Sequence, residues 1–220
     1  MTERLPPPPP IPRLHQGDVY RVGAGQSFGR IYFTAGSHPA AWDGFRAYGP
    51  VATMRFDHHP PPMRNHVTRA ISYLAPSVKH DSSPLDPLVA CVCECFATTR
   101  TIDVRSGAPW FVLWRSTRAL RLLDVVDSPW ITRVGGNAAI SSGARSMSRR
   151  WSRAIYRSYG NVDGVYYETS TLPMSRSVAL YERAQKAMPD RYVLAAPLTH
   201  PGLRAPLRRI AHEFGMDLVL

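Results

Sequence analysis

The sequence predicts an α+β fold, a single domain with a strongly bent mixed β-sheet flanked by helices. Short apolar runs bounded by glycine, proline or polar residues recur along the chain, which is typical of strands. Helical patterns fall between these runs at irregular intervals, and no internal repeat is present, so a doubly wound order is disfavoured. A chain of 220 residues is of the size that forms one domain with a substantial core.

The first predicted segment is a proline-rich N-terminal tail over residues 1–15, and the folded domain is predicted over 16–220. The run Pro6–Pro10 favours an extended backbone because proline fixes φ and lacks an N–H donor. We therefore expect the tail to stay outside the core, either along the surface or mobile.

The N-terminal half of the domain supplies three strands and two helices in this interpretation. The predicted elements are a strand at 18–22, a glycine-containing loop between short strands at 22–33, a short helix at 40–49 that ends on Gly49, a strand at 70–75 and a helix at 84–97. The glycines at 23, 25 and 29 do not have the spacing of a dinucleotide-binding fingerprint.

The C-terminal half is predicted to be richer in strands. Strands are expected at 109–116, 119–125, 162–170, 191–198 and 217–220, a strand or short helix at 177–184, a capped turn at 127–135, a Gly/Ser-rich loop at 135–150, a basic helix after it, and a final helix at 201–214 closed by Gly215.

The charge balance is strongly basic, with a formal net charge of +11. Only Lys79 and Lys186 are lysines, so 27 − 2 = 25 of the basic residues are arginines, and they concentrate locally between Arg145 and Arg157. This cluster follows a helical pattern with Trp151 on the apolar side. A solvated face, an acidic protein partner and an anionic nucleotide all remain open, since no nucleic-acid-binding motif accompanies the charge.

Several function classes are disfavoured by composition. No apolar run approaches the roughly 20 residues that cross a bilayer, and the first residues lack the apolar segment of an export signal, so we expect a cytoplasmic location without membrane association. Cys91, Cys93 and Cys95 are too close together for mutual disulfides and lack a fourth ligand, so they are expected to be reduced and packed. No metal site is predicted, and His58-His59 is expected in a surface loop.

The residues best suited to chemistry lie between positions 50 and 103. Arg55 provides a fixed cation, Tyr73 a ring on a strand, and Glu94 a half-buried carboxylate near the end of a helix. Together they suit an anionic nucleotide. The alternative is structural, because a helical Glu often covers core surface with its stem and Tyr is an ordinary strand residue.

The order of these residues resembles the RES-domain family, over a stretch from about Asp18 to Arg183. The matching positions are Tyr20-Arg21, the turn Met54-Arg55-Phe56-Asp57, Tyr73-Leu74-Ala75, Glu94, Ser152 and Ser170. The chain differs from the family in lacking glycines before Arg55 and in a polar insertion at 76–87.

The resemblance implies an ADP-ribosyltransferase-like fold and an enzyme that consumes NAD as a substrate, with no prosthetic group. It implies that Arg21 and Arg55 bind the pyrophosphate, that Tyr73 holds nicotinamide and that Glu94 acts beside the ribose. Ser152 and Ser170 are further candidates for NAD contacts.

The same resemblance implies the toxin of a toxin–antitoxin pair. Its partner would be a helix-turn-helix antitoxin protein, a homo-oligomer is left open, and direct contact with nucleic acid is not expected. Two alternatives from other classes remain: a catalytically inactive protein-binding module and an arginine-rich nucleic-acid-binding protein.

Overall fold

A mixed β-sheet forms the centre of the molecule, which is represented by a computed structural model that describes residues 4–77, 86–172 and 174–220. The described strands are β1 (Val19–Val22), β2 (Ser27–Phe33), β3 (Tyr48–Gly49), β4 (Arg64–Asn65), β5 (Ile71–Pro76), β6 (Thr101–Asp103), β7 (Pro109–Arg115), β8 (Leu120–Asp124), β9 (Gly164–Glu168), β10 (Arg176–Tyr181), β11 (Leu194–Pro197) and β12 (Asp217–Val219). The described α-helices are α1 (Asp86–Phe96), α2 (Trp130–Arg133), α3 (Ala139–Ser142), α4 (Arg145–Ser158) and α5 (Pro201–Phe214). The predicted α+β class is confirmed.

Eight strands form the main sheet in the order β1-β8-β9-β10-β5-β2-β7-β11. Neighbours are antiparallel except β8 and β9, which run parallel, so the sheet is mixed. Strand β5 joins the two halves: its residues 71–74 pair with β10, whereas Ala75 and Pro76 pair with β2. Strands β2 and β5 share only these two register pairs, which is fewer than any other two neighbouring strands of this sheet share.

One face of the sheet carries both α1 and α4. On β5, Tyr73 packs with the apolar cluster beneath α4, and Ala75 packs with the cluster beneath α1. Alternate residues of a strand share a face, so the two helices lie side by side on the same side of the sheet. The opposite face is covered by a third cluster that includes Phe28 and Trp114.

The predicted helix at 40–49 is wrong. The chain there forms turns, an isolated bridge between Arg46 and Ile71, and β3. The carbonyl groups that a helix would need are used elsewhere, because Arg30 donates to the Gly44 oxygen at 2.6 Å and Ile71 N donates to the Arg46 oxygen at 3.1 Å. Gly49 therefore lies in a strand and does not end a helix.

The other differences from the predicted elements concern where helices and strands begin and end, and they leave the fold class unchanged. The predicted Gly/Ser-rich loop at 135–150 contains the short helix α3 and the start of α4, and the segment 177–184 is a strand followed by a 3-10 helix at 182–187. Helix α1 occupies the predicted 84–97 region from Asp86 onward. Most of the insertion at 76–87 lies outside the described residues.

Over its described residues 4–15 the N-terminal tail forms no helix or strand. The expectation that it stays outside the core is wrong for Leu5, which is only 3% exposed and belongs to the core beneath α4. Trp151 Nε1 donates to the Pro6 carbonyl at 2.7 Å, and the Tyr159 hydroxyl donates to the Pro12 carbonyl at 2.9 Å. Proline lacks a donor but keeps its carbonyl acceptor, so the tail can be bound without joining the sheet.

In the part of the chain that the structure describes, no helix combines the length and apolar character needed to cross a membrane.

Candidate functional site

The candidate site lies where the C-terminal end of α1 approaches the N-terminal end of α4, and we call this region the cleft. Glu94 lies in the last turn of α1, and Arg145 is the first residue of α4. Arg55, in the turn 54–57, is close enough to interact electrostatically with both of these groups, and also with a tyrosine on β5 and a tyrosine on β9. The cleft therefore brings together one carboxylate and two guanidinium groups from three separate parts of the chain.

Arg55 is half-buried and held by the loop before α4. Its Nη1 donates to the Gly143 carbonyl at 2.6 Å and to Ser148 Oγ at 3.3 Å. Burial, followed by repulsion from Arg145, lowers the pKa of Arg55, although a guanidinium remains charged at any physiological pH. Two cations kept this close favour the binding of an anion.

Glu94 is the carboxylate of the cleft. Thr171 Oγ1 donates to Glu94 Oε1 at 3.4 Å, and the Ser170 main-chain N–H also faces the carboxylate. The residue as a whole is exposed and not half-buried as expected, although the surrounding protein still partly desolvates its carboxylate. This burial raises the pKa of Glu94 above its ordinary value, against the opposing attraction of Arg55 and the hydrogen bonds.

Two tyrosines, one on β5 and one on β9, lie next to these charged groups, and we call them the floor of the cleft. Tyr167 on β9 is buried, and burial together with the nearby Glu94 charge raises its pKa well above the ordinary value. Tyr73 on β5 is half-buried, and within the described residues its buried hydroxyl has no hydrogen-bond partner. Beside Tyr167, Thr169 Oγ1 and Ser177 Oγ are 2.7 Å apart in a buried pair, so the floor is aromatic with hydroxyl groups.

The Arg55 turn is anchored by the buried carboxylate of Asp57. Asp57 Oδ2 accepts hydrogen bonds from Val51 N at 2.7 Å and from Arg46 Nη2 at 2.9 Å, and Oδ1 accepts from His59. Burial alone would raise the pKa of Asp57, but the bonds from His59, Arg46 and Val51 lower it overall. Asp57 is thus held as an anion that fixes both ends of the turn.

Helix α4 fixes the same turn from the other side. Ser152 is fully buried, and its hydroxyl donates to the Phe56 carbonyl at 2.6 Å. Arg149 Nη1 donates to the Ala52 carbonyl at 2.5 Å and is 3.3 Å from the Met54 carbonyl. Part of the arginine cluster therefore binds backbone carbonyls instead of presenting a free cationic face.

The histidine pair expected in a surface loop is buried. His59 is bonded to Asp57, and His58 Nε2 is 3.2 Å from Glu182 Oε2. Burial lowers the pKa of His58 to about 4, so its ring is neutral at neutral pH. Within residues 4–77, 86–172 and 174–220, no group of three or more His, Cys, Asp or Glu side chains could hold a metal ion. Cys91 and Cys93 are buried thiols, whereas Cys95 is exposed.

The structure brings four of the six predicted site residues to the cleft: Arg55, Tyr73, Glu94 and Ser170. Arg21 is elsewhere, because β1 is an edge strand separated from β5 by β8, β9 and β10. At about 4.8 Å per strand this places the two strands roughly 19 Å apart. The predicted role of Arg21 in the same site is therefore wrong.

Ser152 also differs from its predicted role. It lies in the middle of α4, and its buried hydroxyl is committed to a carbonyl, so it positions the neighbour of Arg55 without facing the cleft. Sequence reasoning missed Arg145, Tyr167 and Thr171. Arg145 was visible as the first cation of the basic helix, but nothing in the sequence indicated that this end meets α1.

Comparison with known proteins gives one line of similarity. No family model matches the chain, and no curated protein matches it. Among solved structures, the fold is similar to a chain in the crystal structure of the M. tuberculosis MbcT-MbcA toxin-antitoxin complex, with a TM-score of 0.53, 17% sequence identity, and coverage of 86% of this chain and 92% of that chain. The two chains therefore share a fold.

Proposed function

We propose that the chain is an NAD-consuming enzyme that cleaves the bond between nicotinamide and ribose, and that it acts as the toxin of a toxin–antitoxin pair. The observation that supports the activity best is the meeting of Glu94 with Arg55 and Arg145 over an aromatic floor. The similarity to a chain of a toxin–antitoxin complex supports the biological role.

The proposed reaction separates charge at the ribose. The bond between C1′ and the nicotinamide nitrogen breaks, and its electron pair leaves with nicotinamide, which becomes neutral. The Glu94 carboxylate would stabilise the positive charge left on the ribose. Because the protein already holds this carboxylate in place, little reorganisation is needed when the charge develops. An acceptor oxygen from water, phosphate or a macromolecule then bonds to C1′ and loses its proton.

The remaining residues of the cleft have roles that follow from their positions. Arg55 and Arg145 would bind the pyrophosphate, since guanidinium groups match phosphate oxygens in charge and geometry. The rings of Tyr73 and Tyr167 would support the nicotinamide. Ser170 and Thr171 hold the Glu94 carboxylate and would keep it oriented toward the ribose.

The test is incubation of the purified protein with NAD, with and without phosphate and with a cell extract, followed by identification of the products by mass. We expect release of nicotinamide together with ADP-ribose or its conjugate to phosphate or to a macromolecule. Glu94→Gln should release little nicotinamide, while Glu213→Gln, an exposed glutamate on α5, should act as the wild type. A folded wild-type protein that releases no nicotinamide in any arm would favour an inactive binding module.

A further inference from the structure

A second cavity lies at the opposite end of α4 from the candidate site. It has a volume of about 620 Å³ and is bounded by the tail at 11–16, by the facing strands β1 and β8, and by the segment 158–161 at the end of α4. Its size falls in the range of small-molecule sites, about 300–1,000 Å³.

Three arginines line this cavity: Arg13, Arg21 and Arg121. Arg21 and Arg121 are direct register partners on antiparallel strands. Like charges directly opposite one another destabilise a strand pair, so this arrangement calls for a compensating anion. Among the described residues, no carboxylate forms an ion pair with any of the three.

The neighbouring carboxylates are already paired with other arginines. Asp18, close to the tail, is bound by Arg133. Asp163, which accepts the Arg121 main-chain N–H, is bound by Arg118 at 2.7 Å. The positive charge of the cavity is therefore not neutralised by the acids nearest to it.

The tail forms a fixed wall of this cavity. The Tyr159 hydroxyl donates to the Pro12 carbonyl at 2.9 Å, and Asp18 Oδ2 accepts from His15 N at 2.8 Å, so both ends of the segment 12–15 are held. Ile11 and Leu14 on the same segment are half-buried apolar residues beside the arginines. The cavity thus combines a cationic side with an apolar side.

We propose that this cavity binds a small molecule carrying a phosphate chain, of the class of a nucleoside diphosphate. Arg121 Nε already donates to the Asn161 carbonyl at 3.2 Å, so the Nη groups of Arg121, together with the guanidinium groups of Arg13 and Arg21, would bind the phosphates. The organic part would lie against Ile11 and Leu14. This site is separate from the cleft that contains Glu94 and does not depend on the activity proposed for it.

The test is calorimetric titration with ADP in 150 mM NaCl, a concentration at which weak surface attraction is largely screened. Every protein in the titration carries Arg55→Ala, which weakens the phosphate contacts proposed for the cleft. This parent is compared with the same protein carrying Arg21→Gln/Arg121→Gln, and with the same protein carrying Arg204→Gln/Arg208→Gln, which removes two exposed arginines of α5. We expect the dissociation constant for ADP to rise about tenfold or more with Arg21→Gln/Arg121→Gln and to stay near the parent value in the α5 control.

A thermal melt separates loss of the site from loss of the fold. Without ADP, the protein with Arg21→Gln/Arg121→Gln should melt close to its Arg55→Ala parent, because removal of the like-charge repulsion offsets loss of the Arg121 Nε bond to the Asn161 carbonyl, but ADP should no longer raise its melting temperature. If this double variant does not fold, the single variant Arg21→Gln is measured in the same way. The proposal is overturned if ADP affinity survives in the Arg21 variants, if the Arg55→Ala parent does not bind ADP at all, or if the α5 control loses ADP affinity equally.

Discussion

Ser152 illustrates how a residue can matter to a site without facing it. Its hydroxyl satisfies the Phe56 carbonyl, and Phe56 is itself fully buried against Tyr167, with ring centroids 4.4 Å apart. This contact holds the backbone next to Arg55. A small polar residue in a helix thereby supports the backbone of a turn that belongs to a different segment.

We predict that Ser152→Ala lowers both stability and NAD turnover. Loss of the donor leaves a buried carbonyl unsatisfied, which costs about 1–3 kcal/mol of unfolding free energy. Turnover should fall because the Arg55 turn loses one of its supports, and Ser152→Thr, which retains the hydroxyl, should restore part of it. Chemical denaturation and NAD kinetics check this. A loss of NAD affinity with unchanged stability would instead indicate that Ser152 contacts the substrate directly.

Glu94 should show the opposite relation between function and stability. Its pKa is raised in the folded protein, so the folded state binds more protons than the unfolded state in the window between the ordinary and the raised value. Stability contributed by this group is therefore present at low pH and lost as pH rises through the raised pKa.

We predict that Glu94→Gln melts at least as high as the wild type at neutral pH, while NAD turnover falls about 10²–10³-fold. The stability difference should disappear below the ordinary pKa of glutamate, where both side chains are neutral. Melting curves from pH 3 to pH 8, with turnover measured alongside, test the two parts together. A variant that is both active and unchanged in its pH profile would remove Glu94 from the proposed role.

At the scale of elements, α4 is the part that organises the cleft. Its first residue supplies Arg145, its middle supplies Ser152, and Arg149 between them binds the carbonyls of the turn before Arg55. The opposite, apolar side carries Trp151 and Ile155 into the core. One amphipathic helix thus fixes the turn and contributes a cation.

Arg149 and Arg150 are adjacent arginines with the same charge but different contacts. Comparing them distinguishes the effect of a specific contact from that of general positive charge. Arg149 binds the carbonyls of Ala52 and Met54, whereas Arg150 is exposed. We predict that Arg149→Met raises the KM for NAD several-fold because the turn carrying Arg55 is released, while Arg150→Met has little effect. Steady-state kinetics with both variants test this. Equal effects on KM would mean that general positive charge, and not the hydrogen bonds from Arg149 to the turn, determines NAD binding.

The elements of the fold were predictable where the signal is local, and the site was predictable only in part. The apolar strands around Tyr73 and the amphipathic α4 are set by their own residue patterns. The segment 40–49 was not, because its conformation depends on Arg30 and Ile71, which are distant in sequence. For the same reason Arg21 was misplaced: sequence order cannot reveal which strand lies at the edge.

At the scale of the whole molecule, the arginines that give the net charge of +11 have different roles. Arg149 and Arg30 bind carbonyls inside the fold, Arg133 and Arg118 pair with Asp18 and Asp163, and two arginines of the cleft remain for an anion. The surplus on the surface favours fast association with an acidic protein over any particular chemistry. Under the toxin role proposed above, this surplus would speed the encounter with an acidic antitoxin.

The last prediction concerns expression in a bacterial host without such a partner. We predict that the wild-type chain arrests growth and lowers cellular NAD, because an enzyme that cleaves NAD would act on a pool needed by the whole cell. The Glu94→Gln variant should be tolerated at the same protein level, since it keeps the fold and the surface charge but lacks the carboxylate of the cleft. Growth curves, NAD measurement and immunoblots for protein level test this together. Normal growth and normal NAD at high levels of folded wild-type protein would count against the toxin role, and arrest by both proteins with unchanged NAD would attribute toxicity to the basic surface.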